Sequence, residues 1–151
     1  MKQAQYETIK KQILATIEGE NNTIAKMATI SCLLKQEFNH YYWCGFYMVD
    51  EKKPNELVIG PYQGTLGCLR IPKGKGVCGA AFEKEQTQLV DDVHSIDNHI
   101  ACDINSKSEI VIPVFENGKL IAVLDVDSDK IAAFNEVDKS SLESIIQLAF
   151  N

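Results

Sequence analysis

The periodicity of apolar residues changes once along this chain of 151 residues, near Tyr42, and that change limits the fold more than any other feature. Before it, Tyr6, Ile9, Ile13 and Ile17 recur at three- and four-residue steps from Gln3 to Ile17, and Gly19 closes the pattern. This is an amphipathic first helix. A second starts at Asn22 or Thr23, both good N-cap residues, and carries Met27, Ile30, Leu34 and Phe38 on one stripe, with Cys32 off it. After Tyr42 the chain breaks into short runs of β-branched and aromatic residues, expected as strands at Tyr42–Val49, Glu56–Tyr62, Cys68–Ile71, Gln88–Val90, Glu109–Phe115 and Leu120–Asp127. The polar segments 50–55 and 116–118 read as hairpin connections, so their flanking strands should be antiparallel. A short helix fits between Gly79 and Glu85, a polar loop fills residues 91–107, and Asn135 opens a closing helix with Asp138 in its first turn. With no linker or repeat, the expectation is a single α+β domain over residues 1–151, a six-stranded, mostly antiparallel sheet with helices packed on it.

The formal net charge of −6 would repel phosphate backbones and anionic lipids, so nucleic acid and membrane partners are not expected. The N-terminus shows no apolar run or cleavage site of an export signal, and a cytoplasmic protein is expected. Five cysteines, Cys32, Cys44, Cys68, Cys78 and Cys102, are then a poor fit to a structural disulfide framework, and the thiols should be reduced at rest and packed, metal-bound or reactive. Cys32 and Cys44 lie in apolar surroundings and read as packed thiols. Cys68, Cys78 and Cys102 stand beside glycine or in the polar loop, where reactive thiols occur.

Gly74-Lys75-Gly76-Val77-Cys78-Gly79 spells G-x-G-x-x-G, but it follows Ile71-Pro72 and leaves room for about two helical turns, unlike a dinucleotide-binding βαβ unit. What remains is Cys78 near a helix N-terminus, where the dipole favours a thiolate. Cys68, Cys78, His94, His99 and Cys102 cluster in sequence, yet no cysteine pair has the C-x2-4-C spacing of the common zinc sites, and no metal is expected.

The last hairpin carries the strongest local pattern. A three-residue loop, 116–118, would pair Phe115 with Lys119 and Glu109 with Asp125. Leu120, Ala122, Leu124 and Val126 would then face the core with Ser108, Ile110, Ile112 and Val114, while Glu109, Asp125 and Asp127 converge on the other face. A two-residue Asn-Gly loop would instead move Glu109 to the opposite face. Clustered carboxyls need a bound cation or a retained proton, and either suits a site.

Trp43-Cys44-Gly45-Phe46-Tyr47, Gly60-Pro61-Tyr62-Gln63-Gly64, Gly74 to Gly79, His99-Ile100-Ala101-Cys102-Asp103, Ser108 to Val114 and Leu124-Asp125-Val126-Asp127-Ser128 resemble, in that order, the free methionine-(R)-sulfoxide reductases, which are stand-alone GAF domains. The likeness runs from about residue 4 to 150. It implies a homodimer, Cys102 as nucleophile, Cys68 as the thiol that resolves it through a disulfide, and Cys78 in an auxiliary or alternative role. It further implies that Trp43 and Tyr47 enclose the substrate and that Glu109, Asp125 and Asp127 hold its ammonium and sulfoxide groups. No cofactor is implied beyond an external dithiol such as thioredoxin. Nothing in the pattern assigns a role to Cys32 or Cys44. A GAF-type sensor that binds a small molecule without catalysis is the alternative, although one domain using all 151 residues leaves no output module.

Overall fold

A computed structural model describes residues 1–97 and 102–151. Two helices, α1 (Lys2–Thr16) and α2 (Thr23–Glu37), lead into β1 (Trp43–Asp50), β2 (Lys53–Gln63) and β3 (Arg70–Pro72). Helix α3 (Gly76–Lys84), β4 (Gln88–Val90) and a single 3-10 turn at Val93–Ser95 follow. The chain closes with β5 (Ser108–Glu116), β6 (Lys119–Ser128) and α4 (Glu136–Phe150). The six strands form one sheet in the order β3-β2-β1-β6-β5-β4, every neighbouring pair antiparallel. No helix among the described residues is long and apolar enough to cross a membrane.

Alternation along the strands separates two cores. On one face Cys44, Phe46, Ile110, Ile112, Val114, Ala122, Leu124 and Val126 meet the apolar stripes of α1, α2 and α4. The predicted stripe of α2 is fully used: Met27, Ile30, Leu34 and Phe38 are all buried there. Asn22 caps α2 by accepting from the Ala25 amide, and Asn135 with Asp138 builds a complete capping box on α4. Asp138 also accepts from Tyr6 Oη at 2.6 Å and pairs with Lys2 Nζ at 2.7 Å and His40 Nε2 at 3.1 Å, which pins α1 to the start of α4. The opposite face carries Trp43, Tyr47, Val111 and Val123 against α3 and β3.

Two hairpins differ from expectation. Asp50 pairs with Lys53, so the first turn is only Glu51-Lys52, and Pro54 lies inside β2, before the Glu56–Val58 stretch that pairs with β3. There its missing amide donor breaks no bond to β3. In the last hairpin the loop is the two residues Asn117 (φ 54°) and Gly118 (φ 78°), both left-handed as a type I′ turn requires. Alone it would turn Glu109 away from the acid face. A β-bulge between Val114 and Phe115 sets Phe115 opposite Leu120 but Val114 opposite Ala122, leaving Ile121 as the extra residue. Past the bulge Glu109 pairs with Asp127 and Val111 with Asp125, not Glu109 with Asp125 as the three-residue loop would give. The shift also reverses Leu120 and Ile121: Ile121 packs against the helix-side core and Leu120 against the other.

Candidate functional site

The second face of the sheet bears a small cavity of about 50 Å³, lined among others by Trp43, Tyr47, Cys78, Cys102, Glu109 and Asp127. Its floor is acidic because β5 and β6 deliver Glu109 and Asp127 to it after the bulge, while Asp125 on the same face is buried beside Glu109 and Cys78 outside the lining. One donor atom from each of Cys78, Glu109 and Asp125 lies within 4.8 Å of the others, and the Cys78 thiol donates to Glu109 Oε2 at 3.8 Å. All three carboxyls are pushed above their ordinary range, foremost by burial and then by one another's charge. Asp125 is raised to about 8, and its Oδ1 is buried without a hydrogen-bond partner among the described residues.

Cys78 sits in the first turn of α3, where the dipole alone favours a thiolate. Burial first, then Asp125, Glu109 and Asp127, push its thiol well above the ordinary value instead. Desolvation and three neighbouring carboxyls outweigh half a unit charge at a helix end. Cys44 is likewise raised by burial, in the helix-side core, and Cys32 lies half-buried on α2, away from the cavity lining.

Cys68 and Cys102 are joined by a disulfide with 5.4 Å between their Cα atoms. Cys68 lies in the loop before β3 rather than in the strand expected from Cys68 to Ile71. Its partner loop is anchored by a residue that carried no expectation: Asp103 accepts from Thr65 Oγ1 at 2.6 Å and Tyr42 Oη at 3.0 Å. These bonds, with the Asn105 amide, hold its carboxyl below the usual range. The residues His99, Ile100 and Ala101 of the motif around Cys102 lie outside the described residues. Among the described residues, only Cys78, Glu109 and Asp125 bring three potential donors together.

The aromatic wall comes from β1. Trp43 stacks on Tyr62 at 5.0 Å and on Tyr47 at 5.8 Å between ring centroids, and its indole Nε1 donates to the Thr65 carbonyl at 2.7 Å. Gly67 closes tightly over it, since a Cβ there would lie 2.9 Å from Trp43 Cζ2 and 2.8 Å from Ile59 Cδ1. Tyr42, Thr65, Gly67 and Asp103 were not singled out as site residues from the sequence. Tyr42 precedes a strand and the other three lie in loops, so no periodicity marks the direction of their side chains.

The GAF domain model matches residues 23–149. A free methionine-R-sulfoxide reductase of Escherichia coli is 39% identical over 93% of this chain and 84% of its own length. The chain belongs to the free methionine-R-sulfoxide reductase family of GAF domains. GAF domain-containing protein A of Dictyostelium discoideum is 49% identical over 99% of this chain and 93% of its own. The structure of a free methionine-R-sulfoxide reductase from Neisseria meningitidis, in complex with its substrate, superposes with a TM-score of 0.94. It is 42% identical, and the match covers 99% of this chain and 88% of that one. The six-stranded GAF-like sheet expected from the sequence as mostly antiparallel is thus the observed one, with every neighbouring pair antiparallel.

Proposed function

We propose that this chain reduces free methionine (R)-sulfoxide to methionine, with Cys102 as nucleophile and Cys68 as the thiol that resolves it. One observation carries the reading: a bonded cysteine pair, one of whose members lines a cavity floored by carboxyls whose proton affinity is raised by burial and by one another's charge. After reduction, the Cys102 thiolate attacks the sulfoxide sulfur while a carboxyl group supplies a proton to the sulfoxide oxygen. The S–O bond breaks, the oxygen ends on Cys102 as a sulfenic acid, and methionine leaves. The Cys68 thiol then displaces that oxygen as water and forms the disulfide. A two-electron dithiol, thioredoxin in this reading, returns both cysteines to thiols.

The acid face divides this work. Asp125 is the carboxyl raised to about 8, and an α-ammonium brought against its buried, unpartnered Oδ1 would satisfy that atom and lower its proton affinity. Glu109 and Asp127, coupled to each other across the β5–β6 pair, are the groups to hold the proton that is given up. Trp43 and Tyr47, the former backed by stacked Tyr62, offer an apolar wall for the thioether side chain and its methyl group. The cavity of about 50 Å³ has room for a few water molecules, and the Cys68–Cys102 bond must be reduced before Cys102 can attack a substrate there. A cytoplasmic setting and a homodimer complete the reading.

The test is an assay of methionine formation by the reduced protein with dithiothreitol, given free methionine R-sulfoxide, its S epimer and a peptide-bound sulfoxide. Turnover should be confined to the free R epimer, because one chiral pocket must aim the oxygen at the acids and the sulfur at Cys102. Equal rates on both epimers, or preference for the peptide, would reject the assignment.

A further inference from the structure

Apart from Met1, the three most exposed large apolar side chains among the described residues are Leu66, Leu69 and Ile104, at 80%, 72% and 83%. All three stand within two residues of a half-cystine: Leu66 and Leu69 bracket Cys68, and Ile104 follows Cys102. The disulfide and the bond from Thr65 to Asp103 fasten the two loops together, so these side chains surround one redox centre. Isolated exposed leucines are ordinary, but a concentration of them at a reactive group is the mark of a contact surface. Charge is depleted there as well. Residues 64–69 carry none, and residues 102–106 carry only Asp103, whose carboxylate is already hydrogen-bonded, in a chain of which 24% is charged. Apolar centres with few charges are what protein interfaces bury.

Cys102 is exposed and Cys68 half-buried, so the disulfide can be reached from solvent. We propose that Leu66, Leu69 and Ile104 form the docking surface for a protein dithiol that reduces the Cys68–Cys102 bond. This rests on the reading of that pair as redox-active. A thiolate of the docked partner attacks Sγ of Cys102, the S–S bond breaks, and Cys68 leaves as a thiolate and takes up a proton. The partner's second thiol then attacks its own sulfur in the mixed disulfide, releasing the Cys102 thiolate. Two electrons pass to this chain, and the partner ends as a disulfide.

Leu66 also lines the cavity, so the test uses Leu69→Glu and Ile104→Glu, singly and together. Reduction of the full-length oxidised protein is followed by alkylation and mass measurement, with reduced thioredoxin or dithiothreitol as the probe. The double variant should react with thioredoxin at least tenfold more slowly, while its rate with dithiothreitol stays within twofold of the parent. Unchanged thioredoxin rates would overturn the proposal, and so would equal losses with both reductants, which would locate the effect in the disulfide itself. A loss of dimer in sedimentation would assign the patch to a second copy of this chain and overturn it too. Methionine formation with dithiothreitol tests the catalytic reading separately, since that assay needs no docking protein and disulfide reduction needs no sulfoxide.

Discussion

Replacing Asp125 by asparagine should make the substrate-free protein more stable at pH 8 while weakening its hold on substrate. The folded state binds the Asp125 proton more tightly than the unfolded chain does, with the group moved from 3.8 to about 8. Stability is therefore full below the unfolded value and falls as pH rises toward 8, beyond which this contribution is level. At about 1.4 kcal/mol per pH step, the ceiling is on the order of 5 kcal/mol. Water admitted beside the ionised group and protons exchanged with Glu109 and Asp127 reduce this to roughly 1–3 kcal/mol. Asparagine keeps the shape and removes the ionisation. Urea unfolding of the reduced parent and variant from pH 6 to 9 should show the parent losing stability faster, with the gap between them widening toward pH 8. The variant's KM for free methionine sulfoxide should rise at least tenfold, because the acceptor for the ammonium has lost its charge. Parallel stability curves, or a variant less stable than the parent at pH 8, would refute the account of a strained, buried carboxyl.

Three further substitutions separate the cysteines and probe the helix-side core. Cys102→Ser should form no methionine even in a single turnover, whereas Cys68→Ser should form about one per site and then stall, as rapid-quench measurement without reductant would show. Asp138 is held at about 2 although burial works in the other direction, because His40, Lys2 and Tyr6 all donate to it. Its contribution is present above the unfolded value of 3.8 and is lost as pH falls through about 2. Asp138→Asn should thus cost roughly 1–2 kcal/mol at pH 7, allowing for solvent around Lys2, with the difference closing in acid unfolding curves between pH 4 and 2.

Elements whose sequence signal is local were legible to within a residue or two. Helix α2 follows from Asn22 and the Met27-to-Phe38 stripe, and α4 from Asn135 and Asp138, because capping and 3.6-residue periodicity are decided by near neighbours. The convergence of Glu109, Asp125 and Asp127 was also legible, but the pairing that produces it was not. A turn of two residues and one of three differ by a backbone choice at Glu116, and only packing on both sides of the sheet admits the bulge at Ile121. Cys78 illustrates the other limit. Its place at a helix start is written in the sequence around it, yet its proton affinity is set first by burial in the folded chain and then by carboxyls 47, 31 and 49 positions away. Pro54-Asn55 shows the same in reverse: good turn formers by composition, they became strand because Glu51-Lys52 already completes the hairpin.

The bulge at Ile121 and the Asn117-Gly118 turn act as a matched pair of single-residue offsets, each of which alone would exchange the two faces of β5 relative to β6. Inheritance of the acid face is therefore a matter of parity. A hairpin tip longer or shorter by one residue delivers Glu109 into the hydrophobic layer beneath the helices, unless the bulge is gained or lost in the same step. Changes by two residues pass unnoticed at the site. Length variation at this remote, solvent-exposed tip is thus quantised by chemistry occurring at the far end of the same two strands.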